Sequence, residues 1–486
     1  MNKIRILLYS SLALWLSTAC SERATNPQMV TGYPPVTPDY TEVTVPATIA
    51  PLNFTLTESF DRVEAIVRTR SGIALEVSGK NSIRFPEKAW HELLQANKGD
   101  SLMITVSVKQ QDGWKQYRAF PVYVSPHPID YGLVYRLIAP GYEVYSHMGI
   151  YSRELSSFRQ TALIENTLVP GSCVNCHSFN RTSPAAMSLH VRGTHGGTLL
   201  SRGDELTMLN LKTDRTIGAG VYPYWHPSGN YIAYSVNSTR QVFHSRADER
   251  VEVFDLESDV IVYDVVNNRV LTTPLLSTEN FESFPAFSPD GNTLYFVCAE
   301  KRNMPAEYKE AKYNLCRLSF DAATGNFGNR VDTLVHAAST GKSASVPRPS
   351  YDGKYLMYTL ADYGSFLIWH KEADLWMLNL ESGATYPLEA ANSADAESYH
   401  SWSSNSRWFV FASRRDDGLY TRLYLASIDD DGQATKAFLL PQETPAATDL
   451  SFYSYNVPEF VSGPVELDLR EAEKKIVSTH RQQAQN

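Results

Sequence analysis

The feature that most constrains this chain is a strand–turn–strand unit that returns four times. Pro223-Tyr224-Trp225-His226-Pro227-Ser228-Gly229-Asn230-Tyr231-Ile232-Ala233-Tyr234 is followed by a second copy from Pro285 to Phe296, through Ser288-Pro289-Asp290-Gly291. A third copy runs from Pro347 to Tyr358, and a degenerate fourth from His400 to Phe411, so the leading residues are 62, 62 and 53 positions apart. Each copy reads as a strand, a turn on Pro-Asp-Gly-type residues and an alternating apolar strand. A third strand follows, as in Val260–Val265, Asn314–Ser319, Asp374–Leu380 or Arg422–Ile428. Such a unit cannot bury both of its faces alone, so strand repeats of this period stack radially as a β-propeller. Strands at 132–165 and 204–220, with Ser451–Pro458, supply a fifth and a sixth blade. Trp225 and Phe287 are then blade core, and a Tyr content of 28 suits half-buried strands.

The pattern P-x-W/F-S-P-D-G-x-x-L/I-x-F resembles the WD40-like repeats of TolB-type propellers across residues 200–460. The resemblance implies an all-β, six-bladed fold over 129–460 and says little about chemistry, because such rings serve binding, scaffolding and catalysis alike. Residues 51–128 alternate as short strands with one helical interruption, Glu87 to Asn97, and read as an immunoglobulin-like β-sandwich acting as a spacer or docking domain. Residues 21–50 are rich in Pro, Thr and Val and read as an extended linker, with a leading edge strand at Thr41–Val45 as the alternative. Residues 461–486 form a polar tail in which Leu469–His480 reads as a charged surface helix. Asp429-Asp430-Asp431-Gly432 reads as a solvated hairpin loop, since it lacks the alternating ligands of a calcium loop.

The chemistry is concentrated in Cys173-Val174-Asn175-Cys176-His177, a C-x-x-C-H run in a chain with only five cysteines. In an exported protein this pattern reads as a covalent attachment site for haem c. Cys173 and Cys176 add to the vinyl groups, and His177 ligates the iron from the proximal side. The segment 166–197 is too short for an independent cytochrome domain, so it is expected as a haem-binding insertion on the propeller. Pro184-Ala185-Ala186 suggests a short helix on which Met187 and His190 share a face, and either is a candidate for the distal iron position. Arg192 is a candidate partner for a haem propionate. His195 and the pair His147-Met148 are weaker distal candidates. Zinc held by Cys173, Cys176, His177 and His190 or His195 is an alternative, as is a structural disulfide. The segments Asn175–Phe179, Met187–Gly193 and Gly196–Thr198 resemble those of haem-bearing TolB-like lipoproteins of Bacteroidota.

The N-terminus supports export. Lys3 and Arg5 precede an apolar run from Ile6 to Leu16, then Ser17-Thr18-Ala19 and Cys20. That is a secretory signal over 1–20, too short to span a bilayer, and a cysteine at the cut resembles a lipoprotein signal with Cys20 acylated. The expected location is the cell envelope, lipid-anchored, on the periplasmic or surface side of the outer membrane. A net charge of −9 excludes nucleic acid as the natural partner, leaving a redox or envelope protein. Cys298 and Cys316 either pair or serve as small buried hydrophobes. Three functions follow as expectations: haem-based electron transfer or ligand sensing, a scaffold for an envelope protein or glycan with a structural C-x-x-C-H, and a haem enzyme. No hydrolase or nucleotide-binding motif is present.

Overall fold

The computed structural model describes residues 23–111, 113–139, 147–246, 251–447 and 451–486, so the leader and Cys20 lie outside the described residues. Its axis is made by six strands, numbered here in chain order: β1 (Ser172–Phe179), β2 (Gly220–Trp225), β3 (Phe281–Phe287), β4 (Ser343–Pro349), β5 (Glu397–Trp402) and β6 (Ser454–Val461). Each lies against the next, and β6 lies against β1, so the strands close a ring. Antiparallel partners extend outward from every one of them. The partners of β6 are Gly132–Ile138, Met148–Glu154 and Gln160–Glu165, from the other end of the ring's sequence, with Gly132 opposite Val461. Hydrogen bonding between distant segments thus joins the two ends of the ring.

The repeat chemistry explains the local structure. Ser288 donates to Asp290 and accepts from the Thr293 amide; Ser350 does the same with Asp352 and Tyr355, and Ser403 with Asn405 and Trp408. In the fourth copy Ser406 takes the left-handed position, φ 60°, that glycine holds at 229, 291 and 353. The Trp225 indole donates to the Ser178 carbonyl at 3.1 Å, and Trp402 to the Arg348 carbonyl at 2.9 Å. In these two copies the tryptophan therefore ties its inner strand to the preceding one as well as filling the layer between sheets.

Segment 166–197 departs from the insertion expected of it. Its strands Ser172–Phe179 and Ala186–Gly193 begin a sheet continued by Gly197–Arg202 and Glu205–Asn210. The helix expected after Pro184 is a turn followed by a strand. The apolar residues Met187, Leu189 and Val191 repeat every second position, and they enter one core with Val174 and Phe179. The C-terminal tail also docks. Helix Leu469–Val477, capped by the Asp468 carboxylate, buries Ala472 and Ile476 in that core, and Gln482–Gln483 pairs in parallel with Leu209–Asn210.

The N-terminal part contains a seven-stranded and a three-stranded sheet with helix Glu87–Ala96, whose Trp90, Leu93 and Leu94 face inward. Its fold begins before residue 51. Thr44–Pro46 pairs with Tyr123–Ser125, and Tyr40, Val43 and Val45 are buried, so the stretch expected as a linker is largely structural. Trp90, Val106 and Phe120 share one continuous core with Trp408, Leu423, Phe438 and Phe460 of the ring. Asn53 reinforces the join by donating to the Gln442 and Glu443 carbonyls at 3.3 and 3.1 Å. No helix among the described residues is long and apolar enough to cross a membrane.

Candidate functional site

All six inner strands carry an irregularity at the same place. The register slips at Cys176, Tyr222, Phe284, Val346, Tyr399 and Val457, each with φ between 43° and 50°. An extra residue in a bulge is left unpaired and re-aims its side chain. Here the bulges gather around the axis. The rings of Tyr222 and Phe284 lie 4.5 Å apart, and Phe366, from the loop after Tyr355–Ala361, comes within 5.8 and 5.6 Å of them.

The C-x-x-C-H motif occupies β1, with Cys176 as its bulge residue. The shared phase is visible in the sequence once aligned: Cys176-His177-Ser178-Phe179 corresponds to Tyr222-Pro223-Tyr224-Trp225, Tyr399-His400-Ser401-Trp402 and Val457-Pro458-Glu459-Phe460. The motif is thus written into one more copy of the repeat, although Asn180-Arg181-Thr182 and not a Pro-Asp-Gly turn follows it.

Strand register sets which groups meet. Cys173 pairs with Arg192 and Asn175 with His190, whereas His177 pairs with Leu189. Directly opposed residues share a face, so Cys173, Arg192 and His190 point one way and His177 the other. Both thiols are free and buried. Burial holds the Cys173 thiol above its usual range despite the charges of Arg192 and Arg136, which act the opposite way. Arg136, from the neighbouring sheet, donates to the Asn175 side chain, which also accepts from the Cys176 amide at 3.0 Å. Burial raises both tyrosines that flank Cys176, Tyr222 well above its ordinary value and Tyr399 to about 12. The structure therefore gathers two thiols, two guanidinium groups and two neutral phenols near the axis.

His177 is buried, with Nε2 3.4 Å from the Val134 carbonyl and Nδ1 without a partner. Burial lowers its pKa to about 4 and that of His190 to about 3, so both are neutral at pH 7, the form that ligates a metal. Two thiols and a neutral imidazole are the donor types of a covalent haem site, but strand parity turns Cys173 and His177 to opposite faces of the sheet, so the three are not gathered around one group. The distal candidates are not brought into position. His190 faces away from His177 across the sheet, and Met187 hangs from the same face as His177, pairing with Phe179 two residues along. Neither stands opposite the proximal imidazole. His195 lies in the turn before Gly197–Arg202, and His147 lies 3.9 Å from Glu165 beside the Tyr453 ring. The zinc arrangement is not brought together either: among the described residues no three His, Cys, Asp or Glu side chains stand close enough to hold a metal ion.

Two or three residues past the bulges, all six inner strands line a narrow cavity of about 40 Å³ together with some of the turns after them. Tyr224, Trp225, Tyr351 and Trp402 line it together with Arg181, Arg348 and Glu459. Burial raises the Glu459 carboxyl to about 7, against the lowering effect of the Phe179 amide that donates to it at 2.8 Å. Nothing local in the sequence marks Glu459, Arg136, Arg181 or Arg348, since only ring closure makes them neighbours.

No family model matches this chain, and no curated protein does. Among solved structures it is similar to an oligogalacturonate lyase in complex with manganese, at 12% identity and TM-score 0.36, over 63% of this chain and 72% of that one. It is similar to a puromycin-hydrolysing peptidase of Mycobacterium tuberculosis, at 12% identity and TM-score 0.37, over 87% and 57%. A structure from an analysis of two prolyl endopeptidases matches at 11% identity and TM-score 0.34, over 64% of this chain and 42% of that one. The chain thus spans well under two thirds of these peptidases.

Proposed function

We propose that this protein is an exported, lipid-anchored, six-bladed TolB-like propeller behind an immunoglobulin-like sandwich, and that its C-x-x-C-H segment carries haem c for electron transfer or ligand sensing. The observation that carries the reading is the position of the motif. Of the six axial bulges, the one at Cys176 alone holds a thiol, with Cys173, Arg136 and Arg192 around it. Cys173 and Cys176 would hold the haem through thioethers and Arg136 and Arg192 would pair with the propionates, while His177 would have to turn from the opposite face of β1 to supply the ring nitrogen. The bound group would supply an iron that cycles between ferric and ferrous states. Cys20 would carry the lipid, placing the molecule at the envelope with a redox or envelope protein as its partner.

The test is the absorption spectrum of protein produced in an exporting host with a haem-attachment system. A Soret band that survives acid–acetone extraction, and is lost in Cys173→Ala/Cys176→Ala, supports the reading. Correctly folded, exported protein with no covalent haem sinks it. The cavity lined by Tyr224, Trp225, Arg181, Arg348 and Glu459 favours a second reading, a binding module for an envelope protein or glycan. In that case partner binding persists in the double alanine variant and falls on Arg348→Ala.

A further inference from the structure

Two cysteines outside the motif are close enough to react. Cys298 lies on strand Thr293–Ala299 and Cys316 on strand Asn314–Asp321, an antiparallel pair in which Cys298 is opposite Asn314 and Cys316 opposite Phe296. The two are diagonal neighbours on one face, and their Sγ atoms are 3.3 Å apart. Both contribute to the apolar layer around Phe296, Leu318 and Phe320. Cys316 is 1% exposed and covered by Asp332–Val335, whereas Cys298 is partly exposed, so a reagent reaches the pair through Cys298.

We propose that Cys298 and Cys316 form a cross-strand disulfide, a redox-set staple in the strands that extend outward from β3. Closing from the thiol contact to a bond length of about 2.0 Å needs a side-chain adjustment of an ångström or so, within reach of rotamer motion. The oxidant is a disulfide compound. The Cys298 thiolate attacks one of its sulfurs and releases the first thiol; Cys316 then attacks the mixed disulfide at the Cys298 sulfur and releases the second. One disulfide is reduced to two thiols, the two protein thiols become one S–S bond, and their two protons end on the released thiols. The staple encloses the segment that ends in Tyr313, whose hydroxyl donates to the buried Asp255 at 2.9 Å. It therefore anchors the base of the loop that reaches across to strand Val251–Asp264. The inference depends neither on haem nor on export, because the two thiols meet through strand register alone.

The test uses the full chain equilibrated with oxidised glutathione, quenched with N-ethylmaleimide and digested with trypsin without reductant. Trypsin leaves Cys298 on residues 270–301 and Cys316 on Tyr313–Arg317, while Cys173 and Cys176 share residues 160–181. The expected result is one cross-linked species joining 270–301 to 313–317, two hydrogens lighter than the sum of the reduced peptides and lost on adding dithiothreitol. Recovery of the two peptides separately, each alkylated or each carrying glutathione, overturns the proposal. Mapping the wild-type chain needs no variant; Cys298→Ser serves as a control in which residues 313–317 are found alkylated.

Discussion

His370 is the group through which this fold should sense pH. It sits in the loop beside a pocket of about 380 Å³, with Nε2 3.3 Å from Glu252 and Nδ1 3.5 Å from Glu372, and only 3% of its side chain is exposed. Glu252 belongs to the long strand Val251–Asp264, and its other oxygen accepts from Tyr363 at 3.0 Å. The imidazolium thus clamps the hairpin that ends in Val251–Asp264 to the loop after Tyr355–Ala361. Burial alone lowers its pKa, but the two carboxylates outweigh it and raise the value from 6.5 to about 9. A cation whose folded pKa exceeds its unfolded one stabilises the fold fully below the unfolded value, and that contribution is lost as pH rises through the folded value. The interval corresponds to roughly 3 kcal/mol, at about 1.4 kcal/mol for each pH step. The window is therefore pH 6.5 to 9. Glu372, lowered to about 2 with its partner His370 protonated, contributes stability above pH 4.5 that is lost only as pH falls through 2, so it is silent there. The assay is urea unfolding of wild type and His370→Gln at half-unit steps from pH 6 to 9.5. Asp255 and Glu459, raised to about 6 and 7, titrate in both proteins, so the informative quantity is the difference between the curves. That difference should shrink by roughly 3 kcal/mol across the window. Parallel curves would refute the clamp.

Other outcomes follow from the same contacts. Glu397 is fully buried and accepts from Ser393, Ser413 and Arg415 at 2.6, 2.9 and 2.9 Å. Glu397→Ala leaves Arg415 without its carboxylate and should cost about 3–5 kcal/mol in urea unfolding; a loss under 1 kcal/mol contradicts this. Trp408 is fully buried in the core that joins the ring to the N-terminal sheets. Trp408→Ala should cost about 3–5 kcal/mol and make the segment before residue 126 susceptible to limited proteolysis. Finally, because His190 faces away from His177, His190→Ala in haem-loaded protein should leave the ferrous spectrum unchanged, and carbon monoxide should shift the Soret band in both. A change from low to high spin on that substitution would place His190 on the iron after all.

What could be read along the chain was whatever is encoded at short range. The turn residues, the alternating strands and helix Glu87–Ala96 declare themselves locally, as do the capping Asp468 and the C-x-x-C-H run. The helix expected after Pro184 failed for a physical reason. A spacing of three between Met187 and His190 fits a helix in isolation, but the period-two apolar set Met187, Leu189 and Val191 gains more by burial in a sheet. The linker reading of 21–50 failed similarly, because Pro and Thr suit an edge strand as well as a tether, and only the partner strand Phe120–Ser125 decides between them.

The repeat and the motif are thus properties of the sequence itself: turn chemistry favours Ser, Asp and Gly at set places, and the C-x-x-C-H run is read from five consecutive residues. Which groups meet at the axis was decided by tertiary structure alone. Ring closure places β6 beside β1, the common bulge turns Cys176 toward Tyr222 and Tyr399, and strand parity sends His177 and His190 to opposite faces. Parity is a matter of pairing register, and a register that slips by one residue at Cys176 becomes definite only when the neighbouring strand is in place.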